Sequence, residues 1–396
     1  MERNSIGWKE LRAIDGERGV RTVAQVRETS PLLADALTDF AFGEVFSRAE
    51  LGRRERELAT VGVLAAIGGA EPQLRIHLEA ALNVGADPDE LIALAEHLTL
   101  YVGFPRALNL LRETRLILEE LGYGLPLPCA RIRLGDHETL LTDTGGDGPV
   151  VVLVHALGLD RRMWRDSIAH LSDSYRVLAY DLRGHGHAAA APLAMGLADF
   201  ANDLTQLLDQ LGIPTAHLVG LSLGGAIAQN LTLMHPDRVA SLTLVASTAW
   251  RNEVFVARAA AAEDQGIEAQ IAPTLTRWFT PNALADNGWA VRYARDRVRR
   301  ACVADWAAAW RALAAIDTGE RLASIAKPTH IIAGECDLST PPDLMRGLAA
   351  AISGSTFEVI ANGSHMLSLE QPIELALAIR RGLAEAIGRQ APKRAA

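Results

Sequence analysis

The sequence predicts a two-part protein, an all-α N-terminal domain followed by an α/β domain whose sheet carries a helical insert. Three observations predict it. The chain has 396 residues, 49% of them hydrophobic, enough length and apolar content for two buried cores. Between about Val23 and Leu121 apolar residues recur only at helical spacing, as in "RERELATVGVLAAIGG" and "DPDELIALAEHLTLYVG". Beyond residue 130, short β-branched runs alternate with helical stretches, as in a parallel sheet covered on both faces.

The helical half carries its own punctuation. Gly68 and Gly69 end one helix, and Gly85 is placed to cap another. Asp87 then serves as an N-cap, with Pro88 at the first helical position and Glu90 completing a capping box. The stretch "GYGLPLPCA" reads as a connector, so the expected division is 1–122 helical, 123–129 linker and 130–390 α/β.

Six runs are the candidate strands: "PVVVLVHA", "YRVLAYD", "AHLVG", "SLTLVAS", "PTHIIAG" and "TFEVIA". Between Thr248 and about Ala323 the alternation gives way to helical sequence rich in Ala, Arg and Trp. That insert reads as a cap over the carboxyl edge of the sheet.

Composition excludes several classes of function. A net charge of −9 disfavours a nucleic-acid partner, whose phosphates need clustered Lys and Arg. No uncharged apolar run reaches about 18 residues, and "MERNSIGWKELR" lacks a signal-peptide layout, so a cytoplasmic protein with no membrane partner is expected. Cys129, Cys302 and Cys336 are far apart and form no C-x-x-C, so neither a disulfide framework nor a metal site is expected. Small-molecule chemistry remains.

The segment Gly220-Leu221-Ser222-Leu223-Gly224 fits G-x-S-x-G between a predicted strand and a predicted helix, the setting of a strained nucleophile elbow. Ser222 there is either a nucleophile or a plain helix N-cap, and order along the chain bears on the choice. A nucleophilic serine needs a base and an orienting carboxylate, in the order Ser, Asp, His. Asp337 in "GECDLSTPP" and His365 in "ANGSHML" follow in that order, each in a loop after a predicted strand. Singly, either is an ordinary turn or loop residue. The "HALG" segment, His155 to Gly158, directly follows the first long apolar strand, so the backbone N–H groups of Leu157 and Leu223 are the expected oxyanion-hole donors. His155 is expected to position that loop.

On these motifs residues 130–387 resemble the α/β-hydrolase family. Within it, "MWRDSIAHLSDSYRVLAYDLRGHG" and "RWFTP" are similar to 3-oxoadipate enol-lactone hydrolases. The chain departs from that pattern at His155-Ala156, where the family often has an Asn-Ser or similar pair, and at His187 with its run of alanines, where it usually has a serine. The resemblance implies a small-molecule lactone substrate, with Trp164, Arg277, Trp278 and Trp310 as candidates to hold its ring and free carboxylate.

The helical half resembles 4-carboxymuconolactone decarboxylase across residues 23–121, in "FAFGEVFSRAELGRRERELATVGVLAAIGG", "LRIHLEAALNVG" and "LAEHLTLYVGFPRAL". Related peroxide reductases use a C-x-x-C pair, and this segment has no cysteine, which leaves the decarboxylase branch. The resemblance implies His77 as proton donor, Glu44 and His97 at family positions, and Arg75 as a candidate carboxylate holder, with Glu57 ranked below them. It also implies a homo-oligomer and no cofactor, because the electrons of the departing carboxylate run through the ring double bond into the lactone carbonyl. The product of that reaction is the substrate that the second resemblance implies. The fused enzymes of this kind usually place the hydrolase first, and here the order is reversed. A serine hydrolase of another lactone or ester, with the helical half reduced to an oligomerisation module, stays open as the alternative.

Overall fold

A computed structural model of the chain describes residues 2–121, 123 and 128–390. It divides into two compact units, Met1–Pro126 and Leu127–Ala396. Residues 124–127 of the expected connector lie outside the described residues.

The first unit is entirely helical among the described residues, with helices Glu2–Thr29, Pro31–Asp35, Arg53–Ile67, Glu71–Asn83, Pro88–Val102 and Phe104–Glu120 and a wider π-helical segment, Ala36–Phe46. Its first helix starts well before residue 23, where helical spacing becomes readable. That helix is polar and bends at Gly16, whose φ of 59° breaks the periodicity, yet Leu11, Ile14 and Val23 from it are buried beside Ala34, Phe42 and Ala80. The expected caps form. Gly85 takes a φ of 97° while the Ala86 amide donates to the Ala81 carbonyl at 2.8 Å, closing the turn beyond Asn83. At the next helix the Asp89 amide donates to Asp87 Oδ1 at 3.1 Å, and the Asp87 amide to Glu90 Oε2 at 2.9 Å.

The second unit is built on an eight-stranded sheet in the order β1-β2-β4-β3-β5-β6-β7-β8. The strands are β1 Ala130–Leu134, β2 His137–Asp143, β3 Val150–Val154, β4 Arg176–Tyr180, β5 Ala216–Leu221, β6 Val239–Val245, β7 Thr329–Gly334 and β8 Thr356–Ile360. From β4 to β8 across the sheet every pairing is parallel. The six strands expected from continuous apolar runs are all present. The sequence reading missed β1 and β2, an antiparallel hairpin at the sheet edge whose residues are largely polar and partly exposed.

The insert is helical, with helices Glu253–Gln265, Glu268–Trp278, Pro281–Asp286, Trp289–Arg299 and Val303–Ala314. It packs against the loop that leaves β3. A Cβ on Gly158 (φ 76°) would lie 2.4 Å from the Trp306 ring and 3.3 Å from Trp278, so these cap tryptophans need a glycine there. Tyr293 adds a polar tie, donating from its hydroxyl to Asp160 Oδ1 at 2.8 Å. Among the described residues no helix is long and apolar enough to cross a membrane.

Candidate active site

Ser222 sits between the end of β5 and the helix Leu223–Met234 with φ 55° and ψ −113°, a conformation that costs a non-glycine residue of order 1–3 kcal/mol. The glycines around it allow backbones to approach that closely. A Cβ on Gly220 would meet the Gly224 carbonyl oxygen at 2.2 Å, and one on Gly224 would meet the Val154 oxygen at 2.1 Å. Gly225 is confined in the same way by the Ser247 hydroxyl, at 2.5 Å. The turn is also pinned to β6, where the Ser222 amide donates to the Val245 carbonyl at 2.9 Å.

His365 and Asp337 arrive from the loops after β8 and β7. His365 Nε2 lies 3.1 Å from Ser222 Oγ, and His365 Nδ1 lies 2.8 Å from Asp337 Oδ2. The carboxylate is fixed by its own donors: the amides of Ser339 and Thr340 reach Oδ1 at 2.7 and 2.9 Å, and the Thr340 hydroxyl reaches Oδ2 at 2.6 Å. Burial pushes the Asp337 carboxyl up, but the charge and hydrogen bond of His365 and the bonds from Thr340 outweigh it and leave it below the ordinary carboxylate value. Such a line can remove the serine proton and stabilise the imidazolium that results.

Two backbone donors adjoin the serine. Leu223 opens its helix and so has no carbonyl one turn back to satisfy its N–H. The Leu157 N–H, in the loop after β3, donates to no protein acceptor among the described residues. His155 is fully buried, and the Leu182 amide donates to its Nε2 at 2.9 Å while Nδ1 donates to the Ala156 carbonyl at 2.8 Å. Burial holds it below its usual value, hence neutral. It fixes the loop, as expected. Asp181 supports the same loop by accepting from the Arg161 amide at 3.0 Å and its guanidinium at 3.0 Å. A Cβ on Gly186 would come within 2.5 Å of that carboxylate, which accounts for the last glycine of "DLRGHG".

A cavity of about 410 Å³, open solvent at its mouth included, opens on Ser222 and His365 and is walled by Leu157, Phe255, Arg258, Trp278 and Trp310 among others. Trp278 and Trp310, two of the expected substrate-binding residues, are therefore on the cavity wall. Trp164 and Arg277 are not wall residues. Trp164 is fully buried in the core, because the segment Arg161–Trp164 turns its ring inward. Arg277 donates to Thr274 Oγ1 at 3.1 Å one turn back on its own helix. The cation on the wall is Arg258, which sequence reasoning missed: helical spacing in "EVFVARAAAAEDQ" does not say which face meets the cavity.

In the helical unit His77 Nδ1 lies 2.7 Å from Glu57 Oε2. Glu57 is fully buried and its Oε1 has no partner, which moves it from a low rank to the centre of this group. Asp15, on the first helix, completes it: burial first and the Glu57 charge second push its carboxyl up to about 7. Burial would lower His77, but the bond and charge of Glu57 and the charge of Asp15 hold it above its ordinary value. Two of the other expected residues, Arg75 and His97, have partners of their own. Arg75 is ion-paired to Glu120 and, at 3.7 Å, to Glu113, so it is not a free carboxylate holder. His97 is exposed and packs on Tyr101, with ring centroids 5.1 Å apart, and Glu44 is half-buried in the π-helical segment. Among the described residues Asp136, His137 and Asp203 could hold a metal ion by distance. Arg183 already occupies that group, bonding Asp203 at 2.7 Å and Asp136 at 3.3 Å.

Fold and site geometry define the class: the chain belongs to the alpha/beta hydrolase fold family, whose description matches residues 149–372. Residues 31–115 match the carboxymuconolactone decarboxylase family. Among characterised relatives, 3-oxoadipate enol-lactonase 1 of Acinetobacter baylyi is 36% identical over 193 residues, 48% of this chain and 72% of its own length. 3-Oxoadipate enol-lactonase 2 of the same organism is 32% identical over 194 residues, with the same coverage of 48% and 72%. The crystal structure of the enol-lactonase from Burkholderia xenovorans LB400 superposes with a TM-score of 0.61 at 30% identity, covering 64% of this chain and all of that one. A thermophilic esterase from Thermogutta terrifontis gives a TM-score of 0.61 at 28% identity, covering 65% of this chain and 99% of that one. The chain thus joins a carboxymuconolactone decarboxylase domain to an enol-lactonase-like hydrolase domain.

Proposed function

We propose that the protein is bifunctional, decarboxylating 4-carboxymuconolactone in its helical unit and hydrolysing the resulting enol-lactone to 3-oxoadipate in its hydrolase unit. The observation that carries the reading is the hydrogen-bonded line Ser222, His365, Asp337 opening on the cavity. Ser222 Oγ attacks the lactone carbonyl while His365 Nε2 takes its proton and Asp337 holds the Nδ1–H. The Leu157 and Leu223 amides receive the oxyanion. Collapse of the tetrahedral intermediate opens the ring, and His365 returns the proton to the leaving enol oxygen, which relaxes to a ketone. Water, activated by the same imidazole, then releases the acyl group. Trp278 and Trp310 form the apolar walls against the ring.

In the helical unit the carboxylate leaves with its electrons passing through the ring double bond to the lactone carbonyl, and His77 delivers a proton to the α-carbon. Glu57, bonded to Nδ1, keeps the imidazole charged and oriented for that transfer. The same unit is the expected seat of a homo-oligomer. Leu100 and Tyr101 on one helix and Phe104 and Leu108 on the next are 77%, 73%, 69% and 58% exposed, an apolar surface that a second copy would cover.

An NMR time course with 4-carboxymuconolactone tests the reading. Wild-type protein should yield 3-oxoadipate, and Ser222→Ala should stop at the enol-lactone. An untouched lactone would remove the decarboxylase assignment and with it the reaction sequence.

A further inference from the structure

The hydrolase cavity holds a cation that the serine chemistry leaves unused. Arg258, on the helix Glu253–Gln265, shares the cavity wall with Ser222 and His365. Among the described residues its guanidinium has no carboxylate partner and no hydrogen bond. Its contacts are aromatic, with Cζ 4.8 Å from the Trp310 ring centroid and 5.5 Å from that of Phe255. The nearby charge acting on it is another cation, Arg277. The guanidinium is half-buried, and ring faces attract its charge but accept none of its N–H groups in a conventional hydrogen bond, so its planar fork stays open to an anion in the cavity. Burial first and Arg277 second pull it down to about 10, which still leaves it protonated at neutral pH. A second donor adjoins it: Trp310 is 5% exposed, and its indole N–H has no partner.

We propose that Arg258 and the Trp310 indole form a carboxylate subsite, which makes the hydrolase selective for acyl substrates bearing a free carboxylate away from the scissile carbonyl. The inference rests on the hydrolase reading above and adds the residues that read the carboxylate of its substrate. A guanidinium presents a planar fork that matches a carboxylate with two parallel bonds, and the low dielectric of an aromatic wall strengthens them. Arg277 does not line the cavity, and one of its nitrogens donates to Thr274. The carboxylate of the lactone supplies the missing charge, and binding it fixes which end of the molecule faces Ser222.

The test compares two p-nitrophenyl esters of equal acyl length, a hemi-adipate with a free carboxylate and a neutral hexanoate, in wild type, Arg258→Met and Arg258→Lys. Wild type should favour the hemi-adipate. The ratio of kcat/KM for hemi-adipate over hexanoate should fall about 10- to 150-fold in Arg258→Met, the range of a charge-assisted bond, mainly through KM. Arg258→Lys, which keeps the charge but not the fork, should recover part of the ratio. A wild type without preference, or an unchanged ratio in both variants, overturns the subsite. Ser222→Ala separates the two levels: if it still cleaves the hexanoate above the spontaneous rate, the hydrolase reading itself fails.

Discussion

At the residue scale the hydrolase site depends on groups whose tolerances are narrow. Asp337→Asn would keep the shape of the relay but replace an acceptor with an amide, and kcat on the enol-lactone should fall about 10⁴-fold with little change in KM. Asp15 gives a prediction with the opposite pH sense to most acids. Its folded value near 7 lies above the unfolded 3.8, so folding takes up a proton in that window and stability is lost as pH rises from about 4 through 7. Asp15→Asn should therefore raise the melting temperature at pH 8 and lose that advantage toward pH 4, as calorimetry would measure. Ser222, Asp337 and His365 were legible from the sequence because motif and chain order constrain them jointly. Glu57 and Arg258 were not, since burial against His77 and exposure to a cavity are decided by how separate helices meet. Trp164 and Arg277 lie off the cavity wall for the same reason.

At the scale of elements, the strands read correctly were those buried on both faces, because a short, continuous β-branched run fits little besides a covered parallel strand. The hairpin β1-β2 and the helix Glu2–Thr29 are amphipathic at best, and their polar residues conceal the pattern. The cap was visible as an interruption of the strand alternation, but its attachment was not. Tyr293 anchors the helix Trp289–Arg299 to buried Asp160, and deleting that hydroxyl removes one donor from a carboxylate that keeps Arg162 at 2.6 Å. Tyr293→Phe should cost about 1–3 kcal/mol in urea unfolding of the hydrolase unit.

For the whole molecule, the proposed division of labour between the two units predicts separable losses. His77→Ala should stop CO2 release yet leave hydrolysis of supplied enol-lactone intact, the mirror image of Ser222→Ala. Acid should act on the hydrolase unit through His185. Burial first and neighbouring His155 second depress it from 6.5 to about 4. Above 6.5 it is neutral in both states, and between about 6.5 and 4 only the unfolded chain gains the proton, so stability falls as pH drops through that window by about 3 kcal/mol. His185→Asn, which cannot titrate, should flatten the profile of melting temperature against pH over that range.

The glycines of the elbow have a consequence for how such an enzyme can diversify. Gly220 abuts the first turn of the elbow's own helix, Gly224 abuts Val154 at the end of β3 and Gly225 abuts Ser247 after β6, so moving the nucleophile would require the elbow and two further segments to shift together. The cavity wall opposite is made of side chains from cap helices, which can be exchanged singly. In a library selected for new lactones or esters, adaptive substitutions should accumulate along Glu253–Gln265 and Val303–Ala314, while the elbow stays invariant. The chemistry is inherited as a block, and the choice of substrate is inherited residue by residue.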